Sequence, residues 1–173
     1  MAPAFRLWLD GGVVGDVGMG GAPVEGGYGL SGGLGVSLAD EPARGVGILL
    51  QVREIVTNLD DRHVSSIGIL GRYPADDGPF FALGAAHHHE LPWSSYLDDP
   101  LAGALATHTG ITHRTGFELG GGWDFAPGAP ESKDSRRFRP SLQLTGVFLP
   151  ATEGPLAYVL FRATMRLGLK EYE

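Results

Sequence analysis

The chain has 173 residues, 28 of them glycine, with no cysteine and a formal net charge of −7. That length fits one domain, the absence of cysteine excludes disulfides and thiolate sites, and the negative charge speaks against a nucleic-acid partner. No run of about 18 apolar residues occurs, so the sequence holds no transmembrane helix, and the glycines follow no Gly-X-Y period.

Eight segments alternate with a period of two, the signature of strands. The first, Phe5–Val17, sets Arg6, Trp8, Asp10 and Asp16 on one face. In the second, Gly27–Leu38, Tyr28, Leu30, Leu34, Val36 and Leu38 oppose Gly29, Ser31, Gly33, Gly35 and Ser37. The third, Gly45–Thr57, contributes Arg53 to the small, polar face, and the fourth, Val64–Tyr73, contributes Arg72. The fifth, Phe80–Glu90, ends in three consecutive histidines, His87 to His89. In the sixth, His108–Phe125, Phe117, Leu119, Trp123 and Phe125 oppose Glu118, Gly120, Gly122 and Asp124. The seventh, Phe138–Leu149, carries Leu144 with the large residues and Arg139 and Gln143 with the polar ones. In the eighth, Leu156–Leu169, Val159, Phe161, Ala163, Met165 and Leu167 oppose Tyr158, Leu160, Arg162, Thr164 and Arg166. Breakers at 39–44, 58–63, 74–79 and 150–155 mark short turns. Longer connectors span 18–26, 91–107 and 126–137, with a helical turn expected at Leu101–Leu105. There is no internal repeat and no domain boundary, so residues 1–173 are expected to form a single domain.

An even number of hairpin-linked strands closes into an up-and-down barrel. Two barrels compete. A soluble, lipocalin-like barrel that binds a small apolar ligand is apolar inside, whereas a membrane barrel is apolar outside and polar inside. Residue size separates them. With the glycine and serine face inward and the large face in lipid, both faces are satisfied; the reverse leaves an empty lumen. The expected fold class is all-β, an eight-stranded antiparallel up-and-down transmembrane β-barrel. Its lipid-facing residues are expected to include Leu34, Val36, Phe117, Leu119, Leu144, Phe161 and Leu167. Phe5, Tyr73, Phe81, Trp123, Phe125 and Phe138 fall near one rim as interfacial aromatics, and Tyr28 and Phe148 near the other.

In this pattern the chain resembles the small eight-stranded outer-membrane barrels of Gram-negative bacteria, the OmpA/OmpX-like group. Gly116-Phe-Glu-Leu-Gly-Gly-Gly-Trp-Asp-Phe125, a turn, and Phe138-Arg-Pro-Ser-Leu-Gln-Leu144 are similar to late strands of that family. Members typically end in an aromatic residue; here Tyr172 stands one short of the end. The resemblance implies an outer-membrane location, reached through a signal peptide not present in this chain. It also implies a structural, adhesive or surface-interaction role for a monomer without a cofactor. Membrane lipid and lipopolysaccharide are the implied partners, with surface or host ligands meeting the external loops.

The inward face gathers Asp10, Arg53, Arg72, Arg114, Glu118, Asp124, Arg162 and Arg166, with Arg6, Arg139, Asp16, Gln143 and Thr164. An eight-stranded lumen is only wide enough for side chains, so these are expected to form a hydrogen-bonded plug and not a conduit. His87, His89 and His113 are expected to point outward near the upper rim, where a Zn²⁺-like ion is conceivable, while interfacial histidines without metal are the simpler expectation. His88 is expected to point inward beside Glu90. Some outer-membrane barrels are lipid A deacylases with outward His, Ser and Glu. His113-Arg-Thr115 is only loosely similar, with Thr for Ser and no outward carboxylate, so no catalytic residue is expected. Ser94 and Ser95 look like loop serines. The Gly11-Gly12 and Gly32-Gly33 pairs precede no helix and so are not phosphate loops. Asp60-Asp61 and Asp76-Asp77 lack Ca²⁺-loop spacing.

Overall fold

A computed structural model describes residues 4–18, 26–39, 45–57, 62–74, 78–104, 107, 110–125, 138–150 and 156–172. Eight antiparallel strands follow in chain order: β1 (Ala4–Gly18), β2 (Gly26–Ala39), β3 (Val46–Thr57), β4 (Arg62–Tyr73), β5 (Gly78–Pro92), β6 (Thr112–Asp124), β7 (Phe138–Leu149) and β8 (Leu156–Tyr172). Each pairs with the next, and β8 pairs back onto β1, closing the barrel. A register shift interrupts that last seam between Leu7 and Trp8.

The period-two pattern fixes which way each side chain points. Phe81, Leu119 and Leu30 face outward and are 76%, 67% and 67% exposed, while Glu118 and Asp124 face inward and are each 1% exposed. A charged interior inside an apolar wall inverts the usual distribution of residue types.

The lumen is layered. Towards the end where β1 begins, Trp8, Leu49, Leu70, Phe80 and Ala82 pack together. Towards the opposite end lies a second apolar layer of Val14, Ile55, Val147, Leu149 and Leu160, with Val64 and Tyr158 against it. The polar groups lie between and beside these layers. The inward face is thus less uniformly polar than the alternation of small and charged residues had implied.

Trp8 occupies the lumen because of a residue on the neighbouring strand. It pairs in register with Gly35, and a Cβ on Gly35 would lie 2.1 Å from the indole. Only glycine leaves the ring room to lie flat on β2. The outer side of the ring receives Arg166, whose guanidinium is 4.1 Å from the ring centroid, a cation–π contact.

Several boundaries differ from the sequence expectation. The segment expected as the connector 91–107 begins with two strand residues and then forms two short helices, α1 (Trp93–Asp98) and α2 (Pro100–Ala104). Asp99 caps α2 by accepting the Ala102 N–H at 3.0 Å, and Pro100 takes the first helical position, where no N–H is needed. β6 starts at Thr112 and ends at Asp124, so Phe125 lies just beyond it. His108 lies outside the described residues. β4 starts at Arg62, which makes His63 a strand residue and not part of a turn.

Candidate functional site

Two polar constellations stand out, one inside the barrel and one on its outer wall. The interior network runs across β4, β3, β6, β8 and β1. Arg53 Nε donates to Ser66 Oγ at 3.1 Å, and its Nη2 pairs with Glu118. Gln51 Nε2 donates to the other Glu118 oxygen at 3.0 Å, and Gln51 Oε1 accepts from Arg162 at 2.6 Å. Arg162 also pairs with Asp10, which accepts from Thr164 at 3.1 Å. Asp124 receives Arg72 at 2.8 Å and Arg166 at 2.9 Å through one oxygen. Arg72 lies over the Phe80 ring at 3.6 Å. Arg114, half-buried, pairs with Glu90 at 3.6 Å. The eight interior residues expected from the sequence are therefore brought into three connected groups.

His88 is buried as expected, and the Tyr158 hydroxyl lies 3.1 Å from its Nδ1. β8, which is not a neighbour of β5 in the sheet, supplies that contact across the lumen, and adjacency along β5 does not reveal it.

On the outer wall, register aligns residues across four strands. Glu54 pairs with Ser65, Ser65 with His89, and His89 with His113. One row closer to the barrel's middle, Val52 pairs with Ile67, Ile67 with His87, and His87 with Thr115. The next row, Leu50, Ile69, Ala85 and Phe117, is wholly apolar. The wall therefore passes from polar through a mixed row to apolar within three rows, the polar rows lying on β5 and β6 at His87, His89, His113 and Thr115. His87, His89 and His113 bring one ring nitrogen each to within 4.8 Å of one another. His87 Nε2 lies 3.3 Å from His113 Nδ1, and His87 Nδ1 lies 2.7 Å from the Thr115 hydroxyl.

Beside the histidines is a cluster that the sequence did not disclose. Ser65 donates to Glu54 Oε1 at 2.8 Å, and His63 Nε2 lies 2.8 Å from Glu54 Oε2. The His63 ring is roofed by Tyr96 and Trp93 of α1, at centroid distances of 3.9 and 5.5 Å. Contrary to the expectation of no outward carboxylate, Glu54 is one. Serine, histidine and carboxylate do not, however, form a relay in which the base takes the nucleophile's proton. The carboxylate stands between the other two, and α1 covers the imidazole. This arrangement anchors the helical cap to the wall. Among the described residues, His113 and Thr115 are joined through His87, and no carboxylate is bonded to either.

The outward residues Leu34, Phe117, Leu119, Leu144 and Phe161 are exposed, and Val36 and Leu167 are half-exposed. Tyr73, Phe81, Trp123, Phe125 and Phe138 are exposed near the end where β1 begins, and Tyr73 pairs with Phe81 in register. Of Phe5 only the backbone register, opposite Leu38 and Tyr172, is described.

A closed, all-antiparallel, up-and-down barrel of eight strands, apolar outside and plugged by charged side chains, has the fold of the small eight-stranded outer-membrane barrels. The chain is similar to Ail, the attachment invasion locus protein of Yersinia pestis, with a TM-score of 0.52 and 11% identity over 96% of this chain and 99% of that one. A second structure of Ail, in complex with the heparin analogue sucrose octasulfate, gives 0.47 at 10% identity, covering 96% and 99%. Neisserial surface protein A gives 0.48 at 9% identity, covering 95% and 97%. No protein-family model matches the chain, and no curated protein matches it by sequence.

Proposed function

We propose that the protein is an integral barrel of a bacterial outer membrane with a structural or surface-interaction role, and not a catalyst or an open pore. The observation that carries this reading is the inverted wall. The many exposed leucine, isoleucine, valine and phenylalanine side chains of the wall are more than a water-facing surface tolerates, and lipid is the solvent that fits them. Barrel closure leaves no strand edge, which a bilayer requires. In this reading Leu34, Val36, Phe117, Leu119, Leu144, Phe161 and Leu167 face lipid. The rim aromatics Tyr73, Phe81, Trp123, Phe125 and Phe138 sit at headgroup level. No described helix is long and apolar enough to cross a membrane.

The surface role rests on the far end of the barrel. There α1 and α2 project exposed Leu97 and Leu101 above the polar rows, a surface suited to lipopolysaccharide headgroups and to ligands outside the cell. Ail is by name an attachment protein, which agrees with an adhesive role. The apolar layers and the charged plug that fill the lumen support a barrel that is closed to passage, and the protein is proposed to act as a monomer.

The test is refolding with and without detergent or liposomes, followed by heat-modifiable gel mobility and circular dichroism. A compact β-rich band that forms only with lipid or detergent is the expected result. A monodisperse β-rich protein in plain buffer would overturn the proposal and point to a soluble barrel.

A further inference from the structure

We infer that His87, His89 and His113 form a binding site for one divalent transition-metal ion of the Zn²⁺ class on the outer wall of the barrel. Three features of the geometry point there. First, the scaffold is rigid: His87 and His89 are two residues apart on one face of β5, and His113 pairs directly with His89 on β6. Sheet register, rather than loop conformation, delivers all three imidazoles to one spot.

Second, the spacing suits a metal. Tetrahedral zinc with bonds of about 2.0–2.1 Å holds its donor atoms about 3.4 Å apart. His87 Nε2 and His113 Nδ1 are already 3.3 Å apart, and the widest separation within the trio, up to 4.8 Å, closes by side-chain rotation alone. The rings also pack on one another, with His89 4.7 Å from His87 and 4.9 Å from His113 by centroid.

Third, the ligand histidine has the outer partner that metal sites use. The Thr115 hydroxyl is 2.7 Å from His87 Nδ1. A proton held there by the hydroxyl leaves the Nε2 lone pair free to face the trio, and such partners fix ring and tautomer. Glu54 lies in the same cross-strand row as His89 and His113, placing a negative charge on this wall. Three imidazoles and no thiolate select a borderline cation rather than Ca²⁺ or Mg²⁺. His113 is exposed, so the fourth position opens to the surroundings, where water or a phosphate oxygen completes the shell. The site depends only on the β5–β6 register and stands whatever solvent surrounds the wall.

The experiment is calorimetric titration of Zn²⁺ into the refolded full-length chain in non-chelating buffer, with Co²⁺ absorption as a check on geometry. One saturable ion per chain is expected. His89→Ala/His113→Ala should abolish the isotherm while preserving heat-modifiable mobility. If the double variant does not fold, the exposed His113→Ala carries the test alone. Thr115→Val should weaken binding by about 10–100-fold, as loss of an outer-sphere partner does. Absence of saturable binding to the folded chain, or undiminished binding to His113→Ala, would overturn the assignment.

Discussion

Removing the carboxylate at Glu118 tests whether the lumen plug stabilises the barrel or merely occupies it. Glu118 is 1% exposed and Arg53 is 2% exposed. Ser66 accepts from Arg53, and Gln51 joins the pair to Arg162 and through it to Asp10. Among the described buried residues, Arg53, Arg72, Arg162 and Arg166 already outnumber Asp10, Glu118 and Asp124. Glu118→Gln keeps the shape but leaves Arg53 buried without a counter-charge. Breaking one side of such a pair costs about 3–5 kcal/mol, more than a hundredfold in the folding equilibrium. Replacing both partners by apolar groups of similar volume is often nearly neutral. Arg53→Met/Glu118→Leu should therefore recover most of the loss, and a double-mutant cycle isolates the coupling. The assay is urea unfolding in lipid vesicles, monitored by tryptophan fluorescence and gel mobility. A Glu118→Gln variant within about 0.5 kcal/mol of the parent, the range of ordinary surface substitutions, would refute the argument that this charge is essential.

Two further perturbations separate the wall from the lumen. Leu144 and Leu34 stand mid-strand on the outer face. Arginine at either should cost about 2–4 kcal/mol, falling to about 0–1 for Leu38→Arg near the rim, and equal costs at all three depths in vesicle unfolding would contradict a bilayer around the wall. In the lumen, Gly35→Ala drives a methyl into Trp8 and should cost about 1–3 kcal/mol as overpacking. Gly11→Ala, whose Cβ meets nothing closer than 3.9 Å, should stay within about 0.5 kcal/mol; equal stabilities in parallel unfolding curves would show that Trp8 is not held on Gly35.

The alternation of Leu34 with Gly33 and Gly35, or of Phe117 and Leu119 with Glu118, made the strands, the barrel and its polarity legible, because burial in a sheet follows a period of two. Features that depend on pairing between distant strands were hidden. Alternation places Trp8 on the inward face but does not reveal its seat, Gly35, which is on β2. His63 was placed in a turn, and its partners Glu54 and Tyr96 come from β3 and α1. That helix carries no usable periodicity: its six residues, Trp93-Ser-Ser-Tyr-Leu-Asp98, are too few to show a stripe. The three outward histidines were visible as a spacing. Only the register that pairs His89 with His113 brings their nitrogens together.

The seam between β1 and β8 sets how the barrel must assemble. Every other strand pair is a hairpin between sequence neighbours, whereas Phe5 meets Tyr172 only when nearly the whole chain has been laid out. Hairpins can form early and locally, but this closure carries the entropic cost of the longest loop in the molecule. Until it forms, β1 and β8 both expose unpaired backbone groups, which the hydrocarbon interior penalises by several kcal/mol apiece. A partly wound sheet therefore cannot wait in the bilayer for its last strand. Insertion and ring closure become a single cooperative event, timed by the arrival of β8.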